Sequence, residues 1–515
     1  MRLLEYTKQL SNYYELWPQN IPTMSPASPS NPEINLFGKA NISSHLAKLP
    51  AAPFLVPTVI ESLLQSGRYR SLVQVVPGEA DQFCADYVRI NGGTVMTSDS
   101  DLMVYDLGVE GAVVFFKDLK IVETKTTKSL KCVQYKPATI IKRLSLPKPY
   151  GLLSLAFEMM MDPYGSFGQL LRKATNLKSI STYGVKYQEF SNLYNPLTLD
   201  MRLFLEANLS NMDSHLHLRR YLWTLDPRVS EFILQFPTFS QILGLIDIHQ
   251  SGESAINMFL PFLLDYPLRT SAWEMSVSVR QLAYGLPNLI IPESEKIVMV
   301  VEHRRRERGS RGRECQVLND KDMSEACISL LHMFEEIHSY MPNLSKRDFW
   351  RTVGVYQNFV QASYRSNPAL SKLLMQVPKK LPFRLTWDGI QLFSQLEGSF
   401  YSFRILKQIL ELVLLHSGPG KVPAVFYELQ NKLGTLPCLN ELPGVVESLS
   451  RFGNHEDLAI LEGVRKLLNL EANETMGVTF KEDKGKRKSG PSKVSGSSTK
   501  KPNNMFELLM SECSA

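Results

Sequence analysis

The chain has 515 residues, 44% hydrophobic and 21% charged, with a net charge of +6. That length outgrows a single hydrophobic core and predicts two or three domains, while the ordinary globular balance excludes a disordered or fibrous class. The mean charge is too mild to imply nucleic-acid binding by itself, so the placement of the basic residues matters more than their sum.

Residues 1–16 are predicted as a short helix, followed by PQNIPTMSPASPSNP, too rich in Pro, Ser and Asn for a regular element. From Pro53, FLVPTVIESLLQSG has apolar residues at helical spacing and a stop at Gly67. SLVQVV is a short β-branched run closed by Pro77 and Gly78. EADQFCADYVRI follows as a helix ending at Asn91, Gly92 and Gly93, residues suited to a left-handed cap. TVMTS is expected as a second buried strand, then LMVYDL and AVVFFKDL as a hairpin turning between Gly108 and Gly111. Strand, helix and strand within about 30 residues make a βαβ unit with parallel strands. Beyond Tyr150 the strand signals fade. LLSLAFEMMM, LRKATNL, MRLFLEANL, RVSEFILQF and ILKQILELVLLH read as helices, interrupted by the basic loop HRRRERGSRGRE. After about Gly477 the chain becomes a basic, disordered tail.

No apolar run approaches the roughly 20 residues that span a bilayer, and MRLLEYTKQL lacks the apolar stretch of a secretory signal. The six cysteines form no CxxC pair, which argues against a disulfide framework or zinc finger and for a reducing compartment. His215 and His217, two apart on a helix, face opposite ways and make a poor metal pair. Tyr105, Phe115, Phe116 and the tryptophans Trp223, Trp273, Trp350 and Trp387 are expected in the core.

The informative residues are Glu79 and Asp81 after the first strand, and Asp99 and Asp101 after the second. Parallel strands end on one edge, where open α/β sheets place their ligands. Four carboxylates gathered there repel, and divalent cations would neutralise them. Hard oxygen donors suit Mg²⁺ or Mn²⁺, and two such ions could hydrolyse a phosphodiester without a covalent intermediate. Turn and cap chemistry would also place Asp and Ser residues at 98–101, and Glu79 would also complement a helix dipole.

VVPGEADQFCADYVRINGGTVMTSDSDLMVYDLG resembles the internal motif of the flap-endonuclease and XPG nucleases. The resemblance implies a PIN-like α/β fold in which Glu79, Asp81, Asp99 and Asp101 bind catalytic metals. It also implies that Ala80, Cys84 and Ala85 pack the intervening helix onto the sheet. YKPATIIKRLSLPKPYGLLSLAFEMMMDPYG resembles the region that supplies a further metal aspartate, here Asp162. PAAPFLVPTVIESL, FLPFLLDYPLRTSAWEMSVSVRQLAYGL and LTWDGIQLFSQLEGSFYSFRILKQIL look like the asteroid branch of the superfamily, particularly its fungal members.

The family's nucleases begin with two strands carrying metal-binding aspartates, and no such strand is legible before Glu79. The chain is therefore expected to be truncated at its N-terminus or to have given up catalysis. PYGSFGQLLRKATNLK also lacks the paired glycines of the family's duplex-gripping hairpin.

The expected organisation is an incomplete PIN-like α/β sheet with flanking helices followed by a large, mainly α-helical region. Its segments are a remnant and loop (1–48), the partial nuclease domain (49–185), a helical region (186–300), a basic loop (301–316), a second helical region (317–476) and the tail (477–515). Arg304, Arg305, Arg306, Arg308, Arg311 and Arg313 could meet phosphates, act as an import signal, or form a solvated insertion. Lys484, Lys486, Arg487 and Lys488 with Lys500 and Lys501 suggest nuclear import, the cytoplasm being the other location. Residues 504–510 suggest a docking motif. Two functions stand side by side: a Mg²⁺- or Mn²⁺-dependent phosphodiesterase on branched or single-stranded nucleic acid, DNA favoured, and a non-catalytic scaffold. In the scaffold, the helical half or the tail would engage a protein partner or nucleic acid.

Overall fold

The computed structural model describes residues 54–76, 80–123, 127–195, 216–242, 256–263, 265–266, 269–304, 312–362, 387–417, 420–441, 460 and 463–468. Residues 80–195 belong to one compact unit, and residues 54–76 and 216–468 to another. The helix MRLFLEANL, His215, Glu79, Arg305, Arg306, Arg308, Arg311 and the basic tail lie outside the described residues.

The described chain opens with α1 (Leu55–Gln65), whose Pro57 sits in the first turn, where a missing N–H costs nothing. The expected strand SLVQVV is not formed. Arg70–Leu72 is a 3₁₀ turn, and Val73 to Val76 run without a ladder partner. β-branched residues favour extended backbone, but a strand exists only by pairing. The predicted βαβ unit is therefore absent among the described residues.

In the smaller unit α2 (Ala80–Asn91) buries Phe83, Ala85, Asp86 and Val88. Ala85 packs inward as expected, whereas Ala80 and Cys84 are exposed. The helix stops at Gly92, whose φ of +71° suits only glycine without strain. β1 (Thr94–Thr97) buries Val95 alone, so it is half-covered rather than fully buried. It pairs in parallel with β2 (Ala112–Phe115), all four of whose residues are buried, from Thr94↔Ala112 to Thr97↔Phe115. The expected hairpin of LMVYDL with AVVFFKDL is replaced by this parallel pair. Asp101–Met103 forms a 3₁₀ turn that satisfies its own backbone, so no strand precedes Gly111. A Cβ at Gly111 would collide with the Leu107 carbonyl, so the tight return into β2 requires glycine.

β3 (Lys120–Glu123) and β4 (Lys128–Lys131) form an antiparallel hairpin, and Tyr135 then bridges back to Val113 of β2. Five helices follow: α3 (Pro137–Arg143), α4 (Gly151–Met161), α5 (Phe167–Asn176), α6 (Lys178–Thr182) and α7 (Gly184–Asn192). α4 buries nearly its whole length, with Leu155, Ala156 and Phe157 fully enclosed. Buried apolar area of this kind, at about 25 cal/mol per Å², is what holds the sheet edge in place.

The larger unit contains α8 (Leu216–Leu222), α9 (Pro227–Ile233), α10 (Pro237–Ile242), α11 (Val277–Gly285), α12 (Asp320–Tyr340), α13 (Lys346–Ala362), α14 (Trp387–Ser417) and α15 (Ala424–Leu433). It also carries an unexpected three-stranded sheet. β5 (Ile256–Phe259) pairs in parallel with β6 (Met299–His303), which pairs antiparallel with β7 (Arg313–Gln316). The stretch read as a basic loop between helices therefore has strands at both ends. Arg304 is buried there, bound by Glu302 and by Glu274 at 2.9 Å, and does not face solvent as a phosphate contact. The architecture is thus small sheets with flanking helices, then a mainly helical region. Among the described residues no helix is long and apolar enough to cross a membrane.

Candidate metal centre

The acidic loop is built by local hydrogen bonds. The Asp99 N–H donates to Thr97 Oγ1 at 2.9 Å, and the Asp101 N–H donates to Asp99 Oδ1 at 3.1 Å. Short polar side chains that bond backbone two residues on specify such a turn. Leu102 and Met103, both buried, anchor the 3₁₀ turn that follows. Asp99 is consequently exposed at the C-terminal end of β1, and Asp101 is half-buried beside it. Burial raises the Asp101 carboxyl above its ordinary value, and the charge of Asp99 raises it further.

Asp81 lies in the first turn of α2, a position that also suits the helix dipole. Cys84 is exposed as a residue, but partial burial of its sulfur raises the thiol and the charge of Asp81 raises it further.

Tyr194, just after α7, reports how these groups are arranged. Its phenol is raised by burial and then, in order, by Asp101, Tyr105, Asp99 and Asp81. One half-buried hydroxyl therefore feels three carboxylates that the sequence separates into two segments. Tyr194 packs edge-on against Tyr105, ring centres 5.1 Å apart, and against Phe190 at 5.3 Å. Gln82 Nε2 donates to the Asn195 carbonyl at 2.7 Å, and the Tyr105 hydroxyl to the Leu193 carbonyl at 3.4 Å. These bonds tie the segment carrying Tyr194 to α2 and to the acidic turn. A lone tyrosine after a helix carries no sequence signal, so Tyr194 could be found only in the fold.

Asp162 is paired with a base. It caps α4, and Lys173 Nζ bonds its carboxylate at 2.9 Å. That bond, with help from the Tyr164 and Gly165 N–H groups, holds Asp162 below the usual carboxylate range. Asp162 is not among the charges acting on Tyr194. His217 is exposed on α8, Tyr105, Phe115, Trp273 and Trp350 are core residues, and Phe116 is exposed.

Among the described residues, no three His, Cys, Asp or Glu side chains are spaced to hold a metal ion as they stand. The donor chemistry nonetheless fits a hard cation. Asp99 and Asp101 offer only carboxylate oxygens, the donors a hard cation takes.

No curated protein and no solved structure gives a significant match to the chain. Residues 51–317 match the family described as XPG domain containing, a span of just over half the chain that holds Asp81, Asp99 and Asp101. The chain belongs to the XPG domain containing family and so to the superfamily of structure-specific nucleases.

Proposed function

We propose that this is an asteroid-type member of the family whose acidic loop supports Mg²⁺- or Mn²⁺-dependent hydrolysis of branched or single-stranded nucleic acid, DNA favoured. What supports this most is the pair Asp99 and Asp101, joined by the turn bond from the Asp101 N–H to Asp99 Oδ1 just after β1, inside the matched span. Asp99 and Asp101 would hold the cation, Asp81 would complete the set from α2, and Glu79, outside the described residues, would be the fourth donor by its place two residues earlier in the sequence. When bound, the cation supplies Lewis acidity toward the phosphodiester and neutralises charge developing on it. The chain's own part is positional. The turn bond from Asp101 to Asp99 fixes the pair, and half-burial of Asp101 limits competing water. Asp162 is assigned to its ion pair with Lys173 rather than to the cation. The basic tail residues Lys484 to Lys488 would direct the chain to the nucleus.

A second reading, a non-catalytic scaffold, draws support from the absence of a preformed three-donor cage among the described residues. Labelled branched DNA, single-stranded DNA and single-stranded RNA, incubated with Mg²⁺, Mn²⁺ or EDTA, separate the two. The enzyme reading expects cleavage that needs the metal and disappears in Asp99→Ala, Asp101→Ala. Cleavage that survives EDTA or the double variant contradicts the assigned site, and binding without cleavage favours the scaffold.

A further inference from the structure

Residues 117–148 contain nine Lys and Arg against two acidic residues, spread too evenly to form a run. Both acids are engaged or faced within the fold: Asp118 accepts from the Tyr135 hydroxyl at 3.1 Å, and Glu123 lies opposite Lys128 in the ladder. Lys136 is spoken for by Glu110 at 3.0 Å. Lys117, Lys120 and Lys131 remain exposed, and no ion pair to them is found among the described residues.

Two of these lysines stand directly opposite each other, Lys120 on β3 and Lys131 on β4. Like charges facing across an antiparallel pair are destabilising, so the pairing weakens the hairpin when nothing anionic is near. Among the described residues no second layer covers the hairpin. Ile121 and Leu130, partners on its other face, are 46% and 52% exposed. A bare two-stranded ribbon is marginal in water. A charge-repelling, uncovered ribbon is poorly explained as a stabilising element.

Its position supplies the explanation. β1 and β2 are parallel, so both end on one edge. Asp99 and Asp101 follow β1 at that edge, and Lys117 with the hairpin follows β2 at the same edge. We propose that the β3–β4 hairpin is a clamp for the sugar-phosphate backbone, in which Lys120 and Lys131, with Lys117 at its base, bind phosphates of the strand led to Asp99 and Asp101. The clamp rests on the nucleic-acid substrate proposed above. It commits to a polyphosphate backbone because Lys117, Lys120 and Lys131 are exposed point charges gathered on one short element, and ammonium groups bind phosphate oxygens whatever the base.

The test is the salt dependence of binding by the full chain to fluorescein-labelled branched DNA in EDTA, where cleavage is off. Lys120→Gln, Lys131→Gln is expected to bind more weakly, with the slope of log K against log salt reduced by about 1.8, the value for two lost duplex phosphates. The same variant should melt no lower than wild type, since it removes a repulsion, and this separates lost contacts from lost folding. Asp99→Ala, Asp101→Ala should keep the wild-type slope. An unchanged slope in the lysine variant overturns the clamp while leaving the metal site standing. A wild-type chain that binds no nucleic acid overturns both. Binding to phosphatidylserine vesicles through these lysines, with none to DNA or RNA, would assign the hairpin to a membrane surface instead.

Discussion

The Asp101 N–H donates to Asp99 Oδ1 at 3.1 Å, so the first aspartate of the pair sets the backbone that carries the second. The two are one unit, and their substitutions should not be interchangeable. Asp99→Asn keeps the acceptor oxygen and is expected to fold as wild type. Asp99→Ala removes the acceptor and should cost about 1 kcal/mol, the usual worth of such a bond. Urea unfolding of both variants checks the difference, and equal stabilities would deny the turn its role.

The pH dependence at this site has a definite sign. Burial and Asp99 raise the Asp101 carboxyl, so the folded chain holds its proton more tightly than the unfolded chain. That contribution is fully present below the unfolded carboxylate value and is lost as pH rises through the folded one. In EDTA, Asp101→Asn should therefore melt higher than wild type at pH 7.5, with the gap closing at pH 3.5. Thermal melts across that range would expose the opposite trend if the pair were already neutralised by the protein.

In the larger unit, Arg280 Nε and Glu302 Oε1 lie 2.5 Å apart and are completely buried. Burial disfavours the Glu302 carboxylate, but Arg280 and Arg304 outweigh it and hold its pKa down at about 2. The Tyr284 hydroxyl donates to the same carboxylate at 2.8 Å, and Ser276 and Ser402 accept from Arg280. Breaking such a pair leaves an uncompensated charge, so Arg280→Met should destabilise by about 3–5 kcal/mol. Glu302 stabilises above the ordinary carboxylate value, and this is lost as pH falls toward 2. Chemical unfolding of the variant at pH 7 tests the magnitude.

Glu397 on α14 shows the reverse behaviour. Burial pushes its pKa up to about 7. Its stabilising contribution is present below the ordinary carboxylate value and disappears as pH rises through 7. Glu397→Gln should raise stability at pH 8 by about 3 kcal/mol, the worth of holding a proton up to pH 7 rather than to the ordinary carboxylate value, and change little at pH 4.5. A stability gain that is equal at both pH values would show that the carboxyl does not titrate with folding.

Legibility in the sequence followed the range of the interactions involved. The end of α2 at Gly92, the extent of α4 and the strand β1 were legible because caps, periodicity and turn chemistry are local. SLVQVV misled because extended propensity says nothing about a pairing partner. The stretch before Gly111 misled because Asp99 and Ser100 nucleate a turn that competes with a strand. β5, β6 and β7 were hidden since β6 buries Glu302 and His303, polar residues made tolerable by Arg280 and Asn257. Arg304 reads as surface charge in sequence, and only its partners reveal that it is core. The acidic pair is close in sequence and joined by a local bond, whereas Tyr194 depends on how α7 returns to α2, and the Asp162 ion pair joins residues eleven apart.

The central claim is that Asp99 and Asp101 hold a divalent cation, and calorimetric titration of the full chain with Mn²⁺ tests it most directly. Wild type should bind, Asp99→Ala, Asp101→Ala should not, and Asp162→Ala should bind within about twofold of wild type because its carboxylate is engaged elsewhere. Binding that survives in the Asp99, Asp101 double variant, or no binding by the wild-type chain, would contradict the account.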